Sequence, residues 1–270
     1  MKSPFEADVI IFGMNITAWK YFLNIKKHFK NYTEELFESL PDLKQIQQDF
    51  VNKRSDGKQS LYTIETPVVY NSALDDITID SEIKMILVAD NPGRREQAAE
   101  NRRYLIGPSG KIAAKFFKDN PVLGIDFYKN VIILNKTPIH SPRTADLRRL
   151  SEQEFACKKL SNSKIKTAVE ESQKKMALIL FDFHKALDCP VWITGYSEMR
   201  KNGIFEVYTE EIKKLYENEI EMTKKLFFFR HFSMNQFTID LKKQMLPDET
   251  VKKTLKRIGT AYRHRILDKN

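Results

Sequence analysis

Four short apolar runs, separated by longer helical stretches, constrain the fold of this chain most strongly. The runs at 84–89, 130–134, 190–194 and 225–229 are expected to be strands, because each is short and bounded by polar or turn residues. Between them, apolar residues recur at helical spacing over 110–117, 166–186 and 208–218. Strands that alternate with helices indicate βαβ units. We therefore predict an α/β fold of three layers, αβα, around a short, mostly parallel four-stranded sheet.

Both ends of the chain add helices to this pattern. Residues 4–55 are predicted to be mainly helical, with Asn15 as a cap, and a strand or extended piece is expected at 61–65. In the tail, Arg263 is expected on the exposed basic side of an amphipathic helix. We divide the chain into a helical extension at 1–80, an α/β core at 81–240 and a basic C-terminal helix at 241–270. An aromatic stripe near the amino terminus is expected to pack in the core and comprises Trp19, Phe22, Ile25, Phe29 and Tyr32.

The composition narrows the classes of partner. The chain has 270 residues, is 41% hydrophobic and carries a formal net charge of +9, which is typical of a folded protein with a polyanionic partner such as nucleic acid. A solvated lysine-rich surface is the alternative. Cys157 and Cys189 are too few for a disulfide framework or a four-cysteine metal site. No apolar run reaches the length of a membrane span and no secretory pattern is present, so a cytoplasmic location is expected. The protein is also expected to be a monomer.

Polar residues with chemical capacity follow three of the predicted strands. Asp90 and Asn91 follow the first strand, Asn135 ends the second, and His231 follows the fourth. The carboxyl ends of parallel strands meet at one edge of a sheet, where ligands bind in open α/β folds. The sequence therefore predicts a functional site at this edge.

The loop after the first strand contains two features that suit anions. Gly107-Pro-Ser-Gly110 precedes an apolar helix, whose free amides attract phosphate, although a plain tight turn is the alternative. Its spacing matches neither a dinucleotide-binding fingerprint nor a phosphate-binding loop. Four arginines precede this turn, and either contact phosphate or pair with Glu96 and Glu100. They are Arg94, Arg95, Arg102 and Arg103.

Taken in order, these motifs resemble those of the uracil-DNA glycosylase superfamily. The stretch from Ala89 to Gly93 looks like its first motif, often Gly-x-Asn-Pro-Gly, and Asn135 like its uracil-reading asparagine. His231-Phe232-Ser233 is similar to the second motif, usually His-Pro-Ser. The stretch 103–110 is similar to the glycine-rich segment of the iron–sulfur branch. The resemblance covers roughly residues 83–240 and preserves the order of the motifs.

Three positions depart from the family's pattern. Ala89 stands in place of the first glycine, and Phe232 in place of the proline of the second motif. The four cysteines that bind the iron–sulfur cluster are missing, so no metal and no cofactor are expected.

The resemblance implies a hydrolase that removes a flipped-out uracil, or a related deaminated base, from DNA. His231 would stabilise the departing base, while Asn91 would orient the attacking water, with Asp90 as the alternative. No lysine nucleophile is evident, so a lyase step is not expected. The base itself would be held by Asn135, by an aromatic floor at Tyr104 or by Leu105 in its place, and by Pro92 and Gly93. Contacts to DNA would be made by Arg94, Arg95, Arg103, Gly107, Ser109 and Ser233, with Met234 and Asn235 entering the space left by the base.

Two other functions fit the sequence. The first is a nucleic-acid-binding module that kept the fold without the chemistry. The second is an enzyme acting on a free nucleotide, which the arginines and the net charge of +9 disfavour.

Overall fold

Four parallel strands lie at the centre of the computed structural model, which describes residues 13–53, 62–151 and 162–268. They are β1 (Met85–Ala89), β2 (Val131–Asn135), β3 (Val191–Thr194) and β4 (Leu226–Phe229), in the spatial order β2-β1-β3-β4. All the pairings are parallel. The predicted α/β class and the short, mostly parallel sheet are confirmed.

Helices surround this sheet in the described part of the chain. They are α1 (Ile16–Glu38), α2 (Leu43–Lys53), α3 (Pro108–Asp119), α4 (Thr144–Ser151), α5 (Asn162–Leu187), α6 (Glu206–Tyr216), α7 (Ile220–Lys224), α8 (Gln236–Gln244) and α9 (Val251–Leu267). The three helices predicted between the strands are confirmed as α3, α5 and α6, with bounds shifted by a few residues. The short helices α4 and α7 were not predicted. Among the described helices, none combines the length and the apolar character needed to cross a membrane.

Every residue of β1 and β3 is buried, because helices cover the sheet and their side chains reach it from both sides. Helix α5 packs against α1, α4 and α6, and helix α9 lies on β4. The strand residues and the helices at both ends of the chain contribute to one continuous apolar core. The strands, and with them their carboxyl ends, are therefore fixed by packing in this core.

The amino-terminal helix behaves as the sequence predicts. The Asn15 side chain accepts a hydrogen bond of 2.8 Å from the Ala18 N–H and so caps α1. Phe22 and Phe29 are fully buried, and the Phe22 ring lies 5.5 Å from that of Phe183 on α5. The aromatic stripe is therefore part of the core, as expected.

The strand that was one alternative at 61–65 is absent from the described residues, and the exposed position predicted for Arg263 is wrong. Residues 62–65 form no strand, and Leu61 lies outside the described residues. The backbone N–H groups of Ile64 and Glu65 bond to side-chain oxygens of Gln48 and Gln97 instead of a neighbouring strand. Arg263 is only 9% exposed, because its guanidinium turns inward to the Thr223 and Leu226 carbonyls at 3.0 and 3.4 Å.

Candidate functional site

A cavity of about 1420 Å³ opens at the edge of the sheet where the strands end, here called the carboxyl edge. Its walls come from the residues after β1, from the loop that leads to α3, from the segment 141–144 and from the residues after β4. Most of the predicted site residues line it: Asp90, Asn91, Gly93, Arg94, Arg95, Arg103, Leu105, Gly107, Ser109, His231, Ser233 and Met234. The expectation of one site at this edge therefore fits the fold.

The strand order explains the position of the cavity. From β1 the chain passes to β2 on one side, and then crosses to β3 on the other side of β1. Such a change of direction leaves a crevice outside the strand ends. Asp90 follows β1 in this crevice, and Gly195 follows β3 with a φ of +78°. A Cβ at position 195 would lie 2.4 Å from Asp90 Oδ1, so the glycine leaves the space that the carboxylate fills.

Asp90 forms a buried ion pair with a lysine that the sequence analysis did not single out. Lys136 directly follows β2, is fully buried and places its Nζ 2.5 Å from Asp90 Oδ1. The same ammonium donates to the Thr194 carbonyl at 2.6 Å. Burial lowers the pKa of Lys136, and the nearby Asp90 carboxylate opposes that shift. Thr144 Oγ1 donates to the other carboxylate oxygen, Oδ2, at 3.4 Å.

The neighbouring Asn91 has a different set of contacts. Its amide nitrogen donates to Ser141 Oγ at 2.9 Å and, more weakly, to the Pro92 and Ser141 carbonyls. Its Oδ1 accepts no hydrogen bond from the residues that the structure describes. The side chain is thus fixed through its nitrogen, and its oxygen remains an acceptor at the cavity wall.

His231 presents a neutral imidazole to the cavity. Its Nδ1 accepts a hydrogen bond of 2.9 Å from the Ser233 N–H, so the neutral ring carries its proton on Nε2. Burial lowers the pKa of His231, the Lys136 ammonium lowers it further, and the Asp90 carboxylate acts in the opposite direction. The ring therefore stays neutral at pH 7 and offers one N–H donor.

Phe232 occupies the position of the expected proline. Its φ is −69°, a value that proline itself adopts. The ring is fully buried and stacks on Phe237 at 4.3 Å. Beyond it, Met234 and Asn235 both take left-handed backbone angles, with φ of 50° and 59°. This turn leaves the Met234 side chain 84% exposed at the cavity wall, while Asn235 does not line the cavity.

Glu96 joins the two ends of the loop between β1 and α3, so it is not a surface partner of the arginines, the alternative that the sequence left open. The carboxyl is 7% exposed and accepts a hydrogen bond of 3.0 Å from the Gly93 N–H. The N–H groups of Leu105 and Gly107 also bond to it. Burial raises the pKa of Glu96 to about 7, although these hydrogen bonds act to lower it.

The turn before α3 depends on a glycine. A Cβ at Gly110 would lie 1.4 Å from the Leu105 carbonyl oxygen, so only glycine allows this close approach. Leu105 itself has a φ of 52° and lines the cavity.

Arginines surround the mouth of the cavity. Arg94 lies over the Tyr62 ring, 5.0 Å from its centroid, and Arg95 is exposed. Arg103 forms an ion pair of 2.6 Å with Asp76. Arg143, which the sequence analysis did not select, is exposed and also lines the cavity. Arg102 is exposed but does not line it.

Three further predicted site residues lie outside the cavity wall. Tyr104 is 2% exposed, and its hydroxyl donates to the Val69 carbonyl, so the expected aromatic floor does not fit this placement; Leu105 lines the cavity instead. Pro92 is buried behind the turn, where its carbonyl bonds to His140 Nδ1 at 2.8 Å. Asn135 is 1% exposed, and neither end of its amide has a hydrogen-bond partner among the residues that the structure describes.

His140 is a buried support of this turn. Its Nδ1–H donates to Pro92, so its Nε2 accepts the hydrogen bond of 3.1 Å from the Tyr62 hydroxyl. Burial lowers the pKa of His140 to about 4. The Gln47 side chain of α2 donates to the His140 carbonyl at 2.7 Å, so a helix of the amino-terminal extension holds the same loop.

Across residues 13–53, 62–151 and 162–268, no cluster of three or more His, Cys, Asp or Glu side chains is placed to hold a metal ion. Comparisons with protein-family models, with curated proteins and with solved structures found no match to this chain.

Proposed function

We propose that the cavity receives a base flipped out of DNA, and that the protein hydrolyses the N-glycosidic bond of that base, with uracil as the expected substrate. One observation carries the proposal: Asp90, Asn91 and His231, which come from two different strand ends, line a single cavity whose mouth is rimmed by arginines. DNA as partner, a monomeric state and a cytoplasmic location are expectations that accompany it.

His231 supports the proposal through its protonation state. When the C1′–N bond breaks, the base leaves with the bonding electrons, and negative charge develops on a carbonyl oxygen of the base. The N–H of a neutral imidazole can donate a hydrogen bond to that oxygen and stabilise its negative charge while the imidazole keeps its proton. Comparable donors to a developing oxyanion contribute about 3–4 kcal/mol to the transition state.

Asn91 and Asp90 suit two parts of the same step. In the proposal, Asn91 Oδ1 accepts a hydrogen bond from the attacking water, because its nitrogen is already held by Ser141. The Asp90 carboxylate supplies negative charge next to the sugar, where positive charge develops as the base departs. The water oxygen forms the new bond to C1′, its proton passes to a nearby acceptor, and the departing base takes up a proton from solvent.

Asn135 is the proposed reader of the base. Burying an amide without hydrogen bonds is costly, about 1–3 kcal/mol for each unpaired group. Both ends of the Asn135 amide are in that condition, and one edge of uracil offers a matching donor and acceptor. Since the side chain does not line the cavity, we expect the amide to turn toward the cavity when a base enters.

The size and charge of the cavity suit a nucleotide within a strand. Its volume of about 1420 Å³ exceeds what a pyrimidine alone needs. Pockets for single small ligands measure about 300–1,000 Å³. The remaining space and the exposed Arg94, Arg95 and Arg143 suit the flanking sugars and phosphates.

The direct test is the release of uracil from a labelled oligonucleotide by the natural protein and by the variants His231→Ala and Asn91→Ala. We expect His231→Ala to lose about 10²–10³-fold in rate, as for removal of one oxyanion donor, and Asn91→Ala to lose about 10²-fold, as for a misplaced reactant. His264→Ala is the matched control, because His264 is an exposed histidine on α9 outside the cavity. Equal rates for all four proteins would refute the assigned roles.

A nucleic-acid-binding module without base release is the second candidate. It is favoured by the position of Asn135 and Tyr104, two expected base-binding residues that lie outside the cavity wall. This candidate predicts salt-sensitive DNA binding with no release of uracil, hypoxanthine or mismatched bases by the natural protein.

A further inference from the structure

Lys136 carries a fully buried charge at the carboxyl edge, and its ammonium is surrounded by an acceptor, a carboxylate and an aromatic ring. The side chain has no exposed surface, and its Nζ contacts Asp90 Oδ1 at 2.5 Å and the Thr194 carbonyl at 2.6 Å. The ring of Phe205 covers the ammonium at 4.7 Å from its centroid. The Lys136 backbone N–H bonds to the carbonyls of both Ala89 and Asp90 at 3.0 Å. The backbone N–H and the side chain of Lys136 therefore both bond to Asp90.

We propose that Lys136 is a positioning residue for Asp90, which supplies the opposite charge beside that carboxylate and fixes it so that its second oxygen remains available to the cavity. This inference rests on the proposed base-release function, in which the Asp90 charge faces the sugar.

The contacts of Asp90 support this division of its two oxygens. Oδ1 accepts a hydrogen bond from Lys136, while Oδ2 has, among the described residues, only the long hydrogen bond of 3.4 Å from Thr144 Oγ1. Asp90 lines the cavity, whereas Lys136 does not. The lysine can therefore act on a bound ligand only through the carboxylate.

The same placement excludes Lys136 as a nucleophile. An amine that attacks C1′ must reach the sugar with a free electron pair. The Lys136 nitrogen is enclosed between Asp90, Thr194 and Phe205 and is not part of the cavity wall. A lyase step through this residue is therefore not expected, despite a lysine at the centre of the site.

The charges around Asp90 determine what removal of the lysine does. Several other titratable and charged groups lie around the ion pair of Asp90 and Lys136. They are His231 after β4, Glu198 after β3, and Glu96 and Arg143 in the cavity wall. In the described part of the chain, Lys136 is the cation that contacts Asp90 directly. Without it the carboxylate is left buried beside a neutral histidine, and it takes up a proton at higher pH, since burial disfavours the charged form.

The experiment compares single-turnover base release between pH 5 and pH 9 for the natural protein and for Lys136→Met. Lys129→Met is the matched control, since Lys129 is an exposed lysine in the loop before β2. We expect the acidic limb of the rate profile to move up by about 1–3 pH units in Lys136→Met, the range that a neighbouring cation produces. A purely structural lysine would lower the rate equally at every pH. A profile parallel to that of the natural protein therefore overturns the proposal.

The double variant Lys136→Met/Asp90→Asn guards against misfolding. Removing both charges of a buried pair is far less damaging than removing one. We expect this variant to regain the unfolding midpoint lost in Lys136→Met, while base release stays low at every pH, because the carboxylate is absent. If the double variant instead regains the natural rate, the Asp90 charge has no role and the proposal fails.

A measurement that needs no activity separates this inference from the proposed function. The ¹³C signal of the Asp90 carboxyl carbon, assigned by its loss in Asp90→Asn, is followed against pH in the natural protein and in Lys136→Met. We expect its midpoint to rise by about 1–3 units in the variant, and an unchanged midpoint overturns the inference. A raised midpoint in a protein that releases no base would mean that the ion pair acts as proposed and that the base-release function is wrong.

Discussion

Ionisation of Glu96 is expected to weaken the folded protein as the pH rises. Replacing this residue by glutamine keeps the size of the side chain and removes its charge. Glu96 is 7% exposed, and its carboxyl accepts hydrogen bonds from both ends of the loop between β1 and α3. Its ionisation is therefore coupled to the folding of the segment that carries the arginines.

The magnitude follows from the two states of the group. Burial raises the pKa of Glu96 from 4.5 to about 7. Between these values the folded protein holds a proton that the unfolded chain has released, so the free energy of unfolding falls as the pH rises. The full shift corresponds to roughly 3 kcal/mol at 1.36 kcal/mol per unit. Roughly 2–3 kcal/mol of that loss occurs between pH 5 and pH 8, because part of the unfolded population is already ionised at pH 5.

The assay is urea unfolding of the natural protein and Glu96→Gln at pH 5 and pH 8. Three histidines act in the opposite direction, because burial lowers the pKa of His140 and of His184 to about 4 and also lowers that of His231. Their contribution is lost as the pH falls below about 6.5. The informative quantity is therefore the difference in the free energy of unfolding between natural protein and variant, which should change by roughly 2–3 kcal/mol between the two pH values. Glu100→Gln, an exposed carboxylate in the same loop, should leave that difference near zero. If Glu96→Gln and the natural protein show the same pH dependence, the reasoning about this group is refuted.

Two further outcomes follow from the backbone around the cavity. Gly110→Ala should lower the free energy of unfolding by about 1–3 kcal/mol or more, because its Cβ would lie 1.4 Å from the Leu105 carbonyl, whereas Gly107→Ala should be tolerated, with its nearest contact at 3.9 Å. Equal midpoints for the two variants in thermal unfolding would contradict this. Met234→Ala should leave stability unchanged within about 0.5 kcal/mol but slow base release from duplex DNA more than from single strands, because an apolar wedge acts on stacked bases. Met245→Ala, another exposed methionine, is the control, and an equal effect of Met234→Ala on both substrates would argue against a wedge.

The fold could be predicted because its signals are local. Each strand is a short apolar run, and each connecting helix carries its own periodicity, so β1 to β4 were located to within a residue at each end. The strand alternative at 62–65 was wrong because the N–H groups of Ile64 and Glu65 are satisfied by two glutamine side chains from distant positions. The apolar pattern of a segment contains no information about such partners.

The candidate site could be predicted only in part. Asp90, Asn91 and His231 were located because parallel strands bring their carboxyl ends to one edge. Lys136 was missed, since a lysine after a strand is ordinarily solvated, and its burial depends on a carboxylate 46 positions away in the chain. Tyr104 was favoured over its neighbour Leu105, but the positive φ of 52° at Leu105 alters the direction of the side chains along the loop.

Gly195 has a consequence for any set of proteins related to this one. Its position leaves no room for a Cβ beside Asp90 Oδ1, so a side chain at 195 and a carboxylate at 90 cannot be present together. A sequence that keeps an acidic residue at 90 should keep glycine at 195, and one that gains a side chain at 195 should lose the acid and, with it, the reason for a lysine at 136. We therefore expect residues 90, 136 and 195 to be replaced together in related sequences, because their side chains compete for, or pair within, the same space.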